Sequence, residues 1–382
     1  MLKRRFKETL SNSLCGMKRK THGVQEPRHI KKYVEVTSTA QRDDSPAQRI
    51  NRRFLKWICL IALPIVLFFV SLAVGKYHIP LGDLIHTLCY NLIDPSRIKD
   101  PNMQAALLNI RLPRVLCVMI VGAGLSIAGA AYQGMFKNPI ASPDILGASA
   151  GAGTGAALGM LMGMPSGFVQ LFAFCGGLAA VLFTIAINRS ISRDPILGLV
   201  LGGMMIGSLF LSATSYIKLM ADADSRLPAI TFWLMGGFSS INRFQLVSIL
   251  LPMAISFFII FAMRWKLNVF SFGEEEARTL GVNTVPVRRL VIFAATLITA
   301  SGASVSGQVA WVGLIIPHLA RAIMGPNFRA LIPASALLGC SFLLVVDGIA
   351  RNAWSMEMPI GILTASIGIP FFLLVYKSNA GK

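Results

Sequence analysis

Eight stretches of this chain carry no Asp, Glu, Lys or Arg: residues 58–75, 115–136, 145–188, 195–217, 244–263, 290–320, 330–346 and 358–376. A helix needs roughly 20 apolar residues to cross the hydrocarbon core of a bilayer, and most of these runs have about that length. In lipid every backbone N–H and C=O must be bonded within the protein, so spans of this kind fold as helices packed on one another. The composition agrees. With 54% hydrophobic and only 14% charged residues and a mean hydropathy of +0.64, the 382-residue chain is not an ordinary water-soluble domain. The expected fold class is all-α, a polytopic transmembrane helical bundle.

Two runs are too long for one helix. Residues 145–188 are interrupted by Gly163, Pro165 and Gly167, turn chemistry that divides them into two spans. Residues 290–320 have their break around 301–307, leaving two short halves. Charge decides between one helix and two: with two, Arg321, Arg329, Lys377 and Lys382 face the cytoplasm and Arg351 faces outward, as the positive-inside rule favours. The count is then about ten spans with both termini cytoplasmic. Residues 227–242 are charge-free but too short to cross, with Pro228 and the pair Gly236, Gly237, and are expected to form a partial helix on the outer side.

The first 57 residues hold 15 Lys and Arg against 5 Asp and Glu, so net +10 of the chain's +19 precedes the first span. Residues 1–53 are expected to be a basic, disordered cytoplasmic tail, 54–377 the transmembrane domain and 378–382 a cytoplasmic C-terminal tail. A solvated tail that helps fix orientation is preferred to a nucleic-acid contact. The apolar run starts too late for a cleavable signal. Cys15, Cys59, Cys89, Cys117, Cys175 and Cys340 show no CxxC pairing and read as small apolar packers. His78 and His86 could meet on the outer side, but a structural reading outweighs a metal site; His318 follows a proline at a span end. No catalytic group, metal or cofactor is expected.

Within KNPIASPDILGASAGAGTGAALGMLMG (137–163), Gly147, Gly151, Gly155, Gly159 and Gly163 recur every four residues. Four residues advance a helix slightly more than one turn, so these glycines are expected to form one ridge on a single helix, against which a neighbour packs backbone to backbone. Asn138, Pro139, Ser142, Pro143 and Asp144 supply the preceding stop and start signals. GAGTGA nominally matches a dinucleotide fingerprint, yet it follows no strand and is discounted.

RLPR (111–114), GAGLSIAGAAYQGMFKNPIASPDILGASAGAG (122–153), SGQVAWVGLIIPHLAR (306–321), GPNFR (325–329), Asp347, Arg351 and EMPIGILTASIGIPFF (357–372) closely resemble the signatures of the FecCD-type ABC importer permeases for iron chelates (siderophores), haem and cobalamin. The resemblance covers about residues 55–377; the long basic amino terminus departs from it. It implies a permease subunit of a type II importer in the cytoplasmic (inner) membrane of a prokaryote. That subunit would work as a dimer, homodimeric or paired with a paralogue, with two copies of a separate ABC ATPase and an extracytoplasmic substrate-binding protein.

No GxxxxGK[ST] loop is present, and the Gly-Lys pairs at 75–76 and 381–382 lack its surroundings, so energy would come from that partner ATPase and the chain would be no enzyme. Residues 271–284 suggest a short exposed helix, with Ser271 and Glu274 at capping-box spacing, Glu274 and Arg278 at i, i+4, and Gly281 to end it. The resemblance makes this the coupling helix seated in the ATPase, with Glu274, Glu275, Glu276, Ala277, Arg278, Leu280 and Gly281 as contact residues. Arg288 and Arg289 would anchor its far end at membrane lipid headgroups. On the outer side the resemblance implies that Arg111, Arg114 and Arg351 dock acidic residues of the binding protein, a task suited to the planar guanidinium. The fifth span, with Gly198, Gly202, Gly203, Gly207, Ser208 and Ser212, corresponds to the pathway wall.

The competing class is an ion-coupled secondary transporter, which holds ionisable groups at membrane depth. Here Asp144, Asp194 and Asp347 lie near span ends. An embedded hydrolase lacks a metal pair or a Ser/His/Asp set. The cargo expected is an iron(III) siderophore, with cobalamin and haem as alternatives.

Overall fold

The computed structural model describes residues 46–75, 80, 82–87, 101–192 and 194–380. The amino-terminal tail up to residue 45, His78, Cys15, Cys89 and Lys382 lie outside these. By contact the chain divides into Met1–Phe54 and Leu55–Lys382. In the first unit residues 46–54 form the opening turns of a helix; all that follows concerns the second.

Among the described residues the regular elements are helical. They are α1 (Pro46–Ala73), α2 (Pro101–Ala105) leading through a π-helical turn (Ala106–Arg111) into α3 (Leu112–Met135), α4 (Ala148–Leu161), α5 (Ser166–Ile191) and α6 (Pro195–Met220). Next come α7 (Arg226–Leu234), α8 (Arg243–Phe270), α9 (Glu274–Thr279), α10 (Thr284–Ser306), α11 (Val312–Met324), α12 (Phe328–Asn352) and α13 (Ile360–Ala380). Among the described residues seven helices are long and apolar enough to cross a membrane: α1, the α2–α3 run, α5, α6, α8, α10 and α12. α11 and α13 are shorter apolar helices.

The breaks expected from glycine and proline are present. α4 and α5 are separated at 162–165, where Gly163 has φ +71°. α10 stops at Gly307 (φ +64°), and α11 starts after Trp311, held at φ +72°. α1 begins at Pro46, upstream of the boundary expected at residue 54, and α13 runs on to Ala380.

α3 and α10 form the buried centre, with α12 and α11 against α3 and α8 and α5 against α10. Small residues let these axes approach: a Cβ on Gly129 would run into the backbone of Gly313, and one on Gly122 into the carbonyl of Gly339. Outward, large side chains stand free, Leu219 at 81% and Phe258 at 75% exposure, as expected where hydrocarbon is the solvent.

α7 is the short helix expected within 227–242. Its end is knitted to two other elements by backbone bonds: Gly237 N–H to Ser306 O (2.8 Å), Ile360 N–H to Gly236 O (2.9 Å) and Gly361 N–H to Met235 O (3.1 Å). Irregular backbone is tolerated there because its polar groups are satisfied by neighbouring helices.

Candidate functional site

α9 is a six-residue helix between two long ones, too short to be stable by itself. It is not opened by a Ser271 capping box. Ser271 caps the end of α8, its hydroxyl donating to Asn268 O (2.7 Å), and the residue before α9 is Gly273, at φ +148°. Gly273 O accepts from Ala277 N–H (2.9 Å). At the other end Gly281 (φ +78°) terminates the helix as expected. Its N–H reaches Arg278 O and that of Val282 reaches Ala277 O (both 2.9 Å), a Schellman closure.

Glu274 fastens α9 to α10. Its Oε1 accepts from Arg278 Nη2 (2.9 Å), the expected i, i+4 pair, and from Thr284 Oγ1 (2.9 Å); its Oε2 accepts from Arg288 Nη2. Burial opposes the charge, but the hydrogen bond from Thr284 and the positive charges of Arg288 and Arg278 outweigh it, holding this carboxyl below the usual glutamate range. Ala277 is fully buried. Ala277 therefore faces the protein's own interior, Glu274 is half-buried at 26% exposure, and Arg288 is 8% exposed. Glu275, Glu276, Arg278, Leu280 and Gly281 remain exposed, joined by Phe272 at 70%. Lys137 Nζ donates to Phe272 O (3.1 Å), tying the loop after α3 to the same end.

At the opposite end of the helices lies a second charged group. Arg114 donates through Nε and Nη2 to Asp347 Oδ1 (3.1 and 2.9 Å) and through Nη1 to both oxygens of Glu357 (3.0 Å each). Arg351 pairs with Asp347 Oδ2 at 3.0 Å and donates to Ser71 Oγ (2.7 Å); Arg111 Nη1 donates to Leu72 O (2.7 Å). The arginines thus cap the carbonyl end of α1 and neutralise a buried aspartate. All three arginines expected to dock a binding protein are only 7% exposed in this chain. Glu357, one third exposed, is the accessible member.

The glycine ridge is shorter than expected. α4 covers only 148–161, so Gly147 (φ +80°) and Gly163 are turn residues at its two ends. Gly151, Gly155 and Gly159 do form the seam: Cβ atoms there would meet the Gly176 carbonyl, the Phe172 carbonyl and Val169 Cα (3.2 Å) of α5. On α6, Gly198, Gly202, Gly203 and Gly207 are buried against Asn188, Ile191, Ile145 and Gly147, so within this chain they serve close helix packing. Ser208 and Ser212 are exposed, each donating to a carbonyl one turn back.

Cys59, Cys117, Cys175 and Cys340 are free thiols, and the described residues contain no group of three His, Cys, Asp or Glu arranged for a metal. His318 is half-buried on α11. Sequence reasoning missed Thr284, Ser71, Lys137 and the link from Arg321 Nη1 to Gln133 Oε1 (2.6 Å). Glu357 stood in a quoted motif without being singled out. No local spacing marks such residues, because their partners are distant in the chain.

Buried helices with irregular backbone breaks, a short charged helix fastened at one end and an ion network at the other define a multi-pass membrane protein of transport type. The model of the FecCD transport family matches residues 62–378, and this chain belongs to that family, the permeases of ABC importers. It is 36% identical over 325 residues to the molybdate import system permease protein MolB of Haemophilus influenzae, covering 84% of this chain and 95% of that protein. It is 39% identical to the cobalamin import system permease protein BtuC of Halobacterium salinarum (71% and 73% covered) and 35% identical to the Fe(3+) dicitrate transport system permease protein FecD of Escherichia coli (70% and 83%). A chain from a solved structure described as an inward-facing metal-chelate type ABC transporter superposes with a TM-score of 0.74 at 35% identity, covering 84% of this chain and 98% of that one.

Proposed function

We propose that this chain is the membrane-spanning subunit of an importer for an iron(III) chelate of the siderophore type, powered by ATP hydrolysed in a separate ABC ATPase. The observation that carries the reading is α9, a helix too short to stand alone, internally clamped by Glu274 yet presenting Phe272, Glu275, Glu276, Arg278, Leu280 and Gly281 outward. A rigid, amphipathic projection suits a part that transmits motion from a partner.

The seven long helices together with α4, α11 and α13 make ten spans, and the α9 end is cytoplasmic. Lys56, Lys137, Arg264, Lys266, Arg289, Arg321 and Arg329 cluster at that end, which supports the orientation and two cytoplasmic termini. Two copies, identical or paralogous, enclose the pathway, and each binds one ATPase. An extracytoplasmic binding protein docks at the end that carries Glu357. The buried arginines shape that end, and their charge is screened from solvent by Asp347 and Glu357.

Relatives named for molybdate and cobalamin make these the next cargo classes to test, with haem added from the resemblance in sequence. The deciding experiment places the purified permease in vesicles with or without its ATPase and follows uptake of a ferric chelate delivered by the binding protein. ATP-dependent accumulation only in the complete system is expected. Accumulation driven by an ion gradient with the permease alone would establish a secondary transporter instead.

A further inference from the structure

A cavity of about 570 Å³ opens between α5, α6 and α10 at the α9 end of the bundle. Four of its polar residues lie at one extremity, Asn188 and Ser192 at the end of α5 and Arg288 and Arg289 on the first turns of α10; the fifth, Thr296, stands two turns further along α10. The rest of its lining is apolar, including Leu178, Leu182, Ile185 and Phe293. From residue 188 to residue 178 a helix climbs about 15 Å, so the wall descends far into the hydrocarbon. Leu182 and Phe293 are more than half exposed, which places the cavity on an outward face of this chain.

Two cations meet at the mouth in different states. Arg288 is 8% exposed and spends Nη2 on Glu274, while its Nε is buried without a hydrogen-bond partner among the described residues. Arg289 beside it is exposed. Glu274 is the carboxylate paired with Arg288, and the side chain of Asp194 accepts from Ile196 N–H (2.8 Å) as the cap of α6. A buried guanidinium donor left unbonded is costly, and an anion supplies the missing acceptor.

We propose that this cavity is a binding site for one anionic phospholipid. Its phosphate lies between Arg288 and Arg289, and its acyl chains run along Leu178, Leu182 and Phe293. A free phosphate would satisfy the mouth and leave the apolar depth empty, whereas an acidic protein partner would have to bury carboxylates against leucine. A lipid matches both halves. Because Arg288 also holds Glu274, the bound phosphate braces the α9 clamp; that consequence alone rests on the function proposed above.

The test is native mass spectrometry of the full-length protein extracted from vesicles of phosphatidylglycerol and phosphatidylcholine. Wild type is expected to retain one phosphatidylglycerol in preference to phosphatidylcholine. Arg289→Gln, which leaves the clamp intact, should weaken retention about tenfold through loss of a charge-assisted bond. Leu182→Trp, at an exposed apolar position, should displace the lipid by filling the groove. Equal retention of both lipids, unchanged retention in Arg289→Gln, or displacement of phosphatidylglycerol by millimolar inorganic phosphate alone would each overturn the assignment. Lipid retention is read without ATPase or cargo, so failure of the transport reading leaves this result independent.

Discussion

Glu274 on α9 and Arg288 on α10 are joined side chain to side chain across the turn between two helices, with Thr284 completing the same contact at 2.9 Å. This one carboxylate decides whether a six-residue helix has a fixed direction. Glu274→Gln is expected to release α9 while the long helices stay folded, raising amide hydrogen exchange over 274–282 and reducing recovery of the ATPase on purification of the complex. Removing a partner from a charged hydrogen bond costs about 1.5–3 kcal/mol, enough to populate the released state. Thr284→Val should act in the same direction with about 1 kcal/mol. Undiminished protection of 274–282 in Glu274→Gln would show the helix to be held by other contacts.

The same contact sets a pH dependence. Glu274 has a folded-state pKa below the ordinary value of 4.5, so its stabilisation is fully present above that value and is lost as pH falls through the lower, folded-state one. Protection of the α9 amides, corrected for intrinsic exchange, should be flat from neutral pH to about pH 5 and decline only under stronger acid. A decline centred above pH 5 would require a different titrating group.

In the ion network, Asp347 is fully buried between Arg114 and Arg351. Asp347→Asn leaves buried Arg351 without its ion pair and Arg114 with Glu357 alone, and should cost about 3–5 kcal/mol, read as loss of thermal stability in detergent. Adding Arg351→Gln should recover part of that loss by removing the stranded charge. Arg114→Lys should not substitute for arginine, because one ammonium cannot hold Asp347 and Glu357 with the same planar geometry. A double variant no more stable than Asp347→Asn would argue against charge as the cause.

The α4–α5 seam gives a steric prediction. Gly155→Ala puts a methyl group into the Phe172 carbonyl and Gly151→Ala one into Gly176, whereas Gly237 has open space around it. The two seam substitutions should each cost about 1–3 kcal/mol by overpacking, and Gly237→Ala should be close to neutral in the same thermal assay. Equal effects at all three positions would argue against close backbone packing as the cause.

Much of the fold was legible in the residues. The apolar runs, the break at 163–165, the short helix near 227 and the terminating Gly281 are all present, whereas the break expected around 301–307 begins only at Gly307, because α10 stays helical through Ser306. The capping box at Ser271 failed because α8 continues through Phe270 and takes that serine for its own end. The five-glycine ridge failed at both extremities because four-residue spacing does not reveal where a helix starts, and Gly147 and Gly163 lie in left-handed turns. Within the contact set expected on α9, Glu275, Glu276, Arg278, Leu280 and Gly281 are exposed, whereas Ala277 is buried and Glu274 is half-buried against Arg288.

By itself the sequence determined that this is a helical membrane protein, where its helices lie and which family it belongs to. Those properties follow from local hydropathy, turn residues and motif order, each readable within a few turns of chain. Only the tertiary structure decided which way the decisive side chains face. Arg114 meets Asp347 across 233 residues, and the glycines of α6 turn to α5 and to the turn at 145–147. Direction at such positions is set by which helix becomes a neighbour, and in lipid that choice depends on the fit of whole surfaces rather than on any single residue's preference for water.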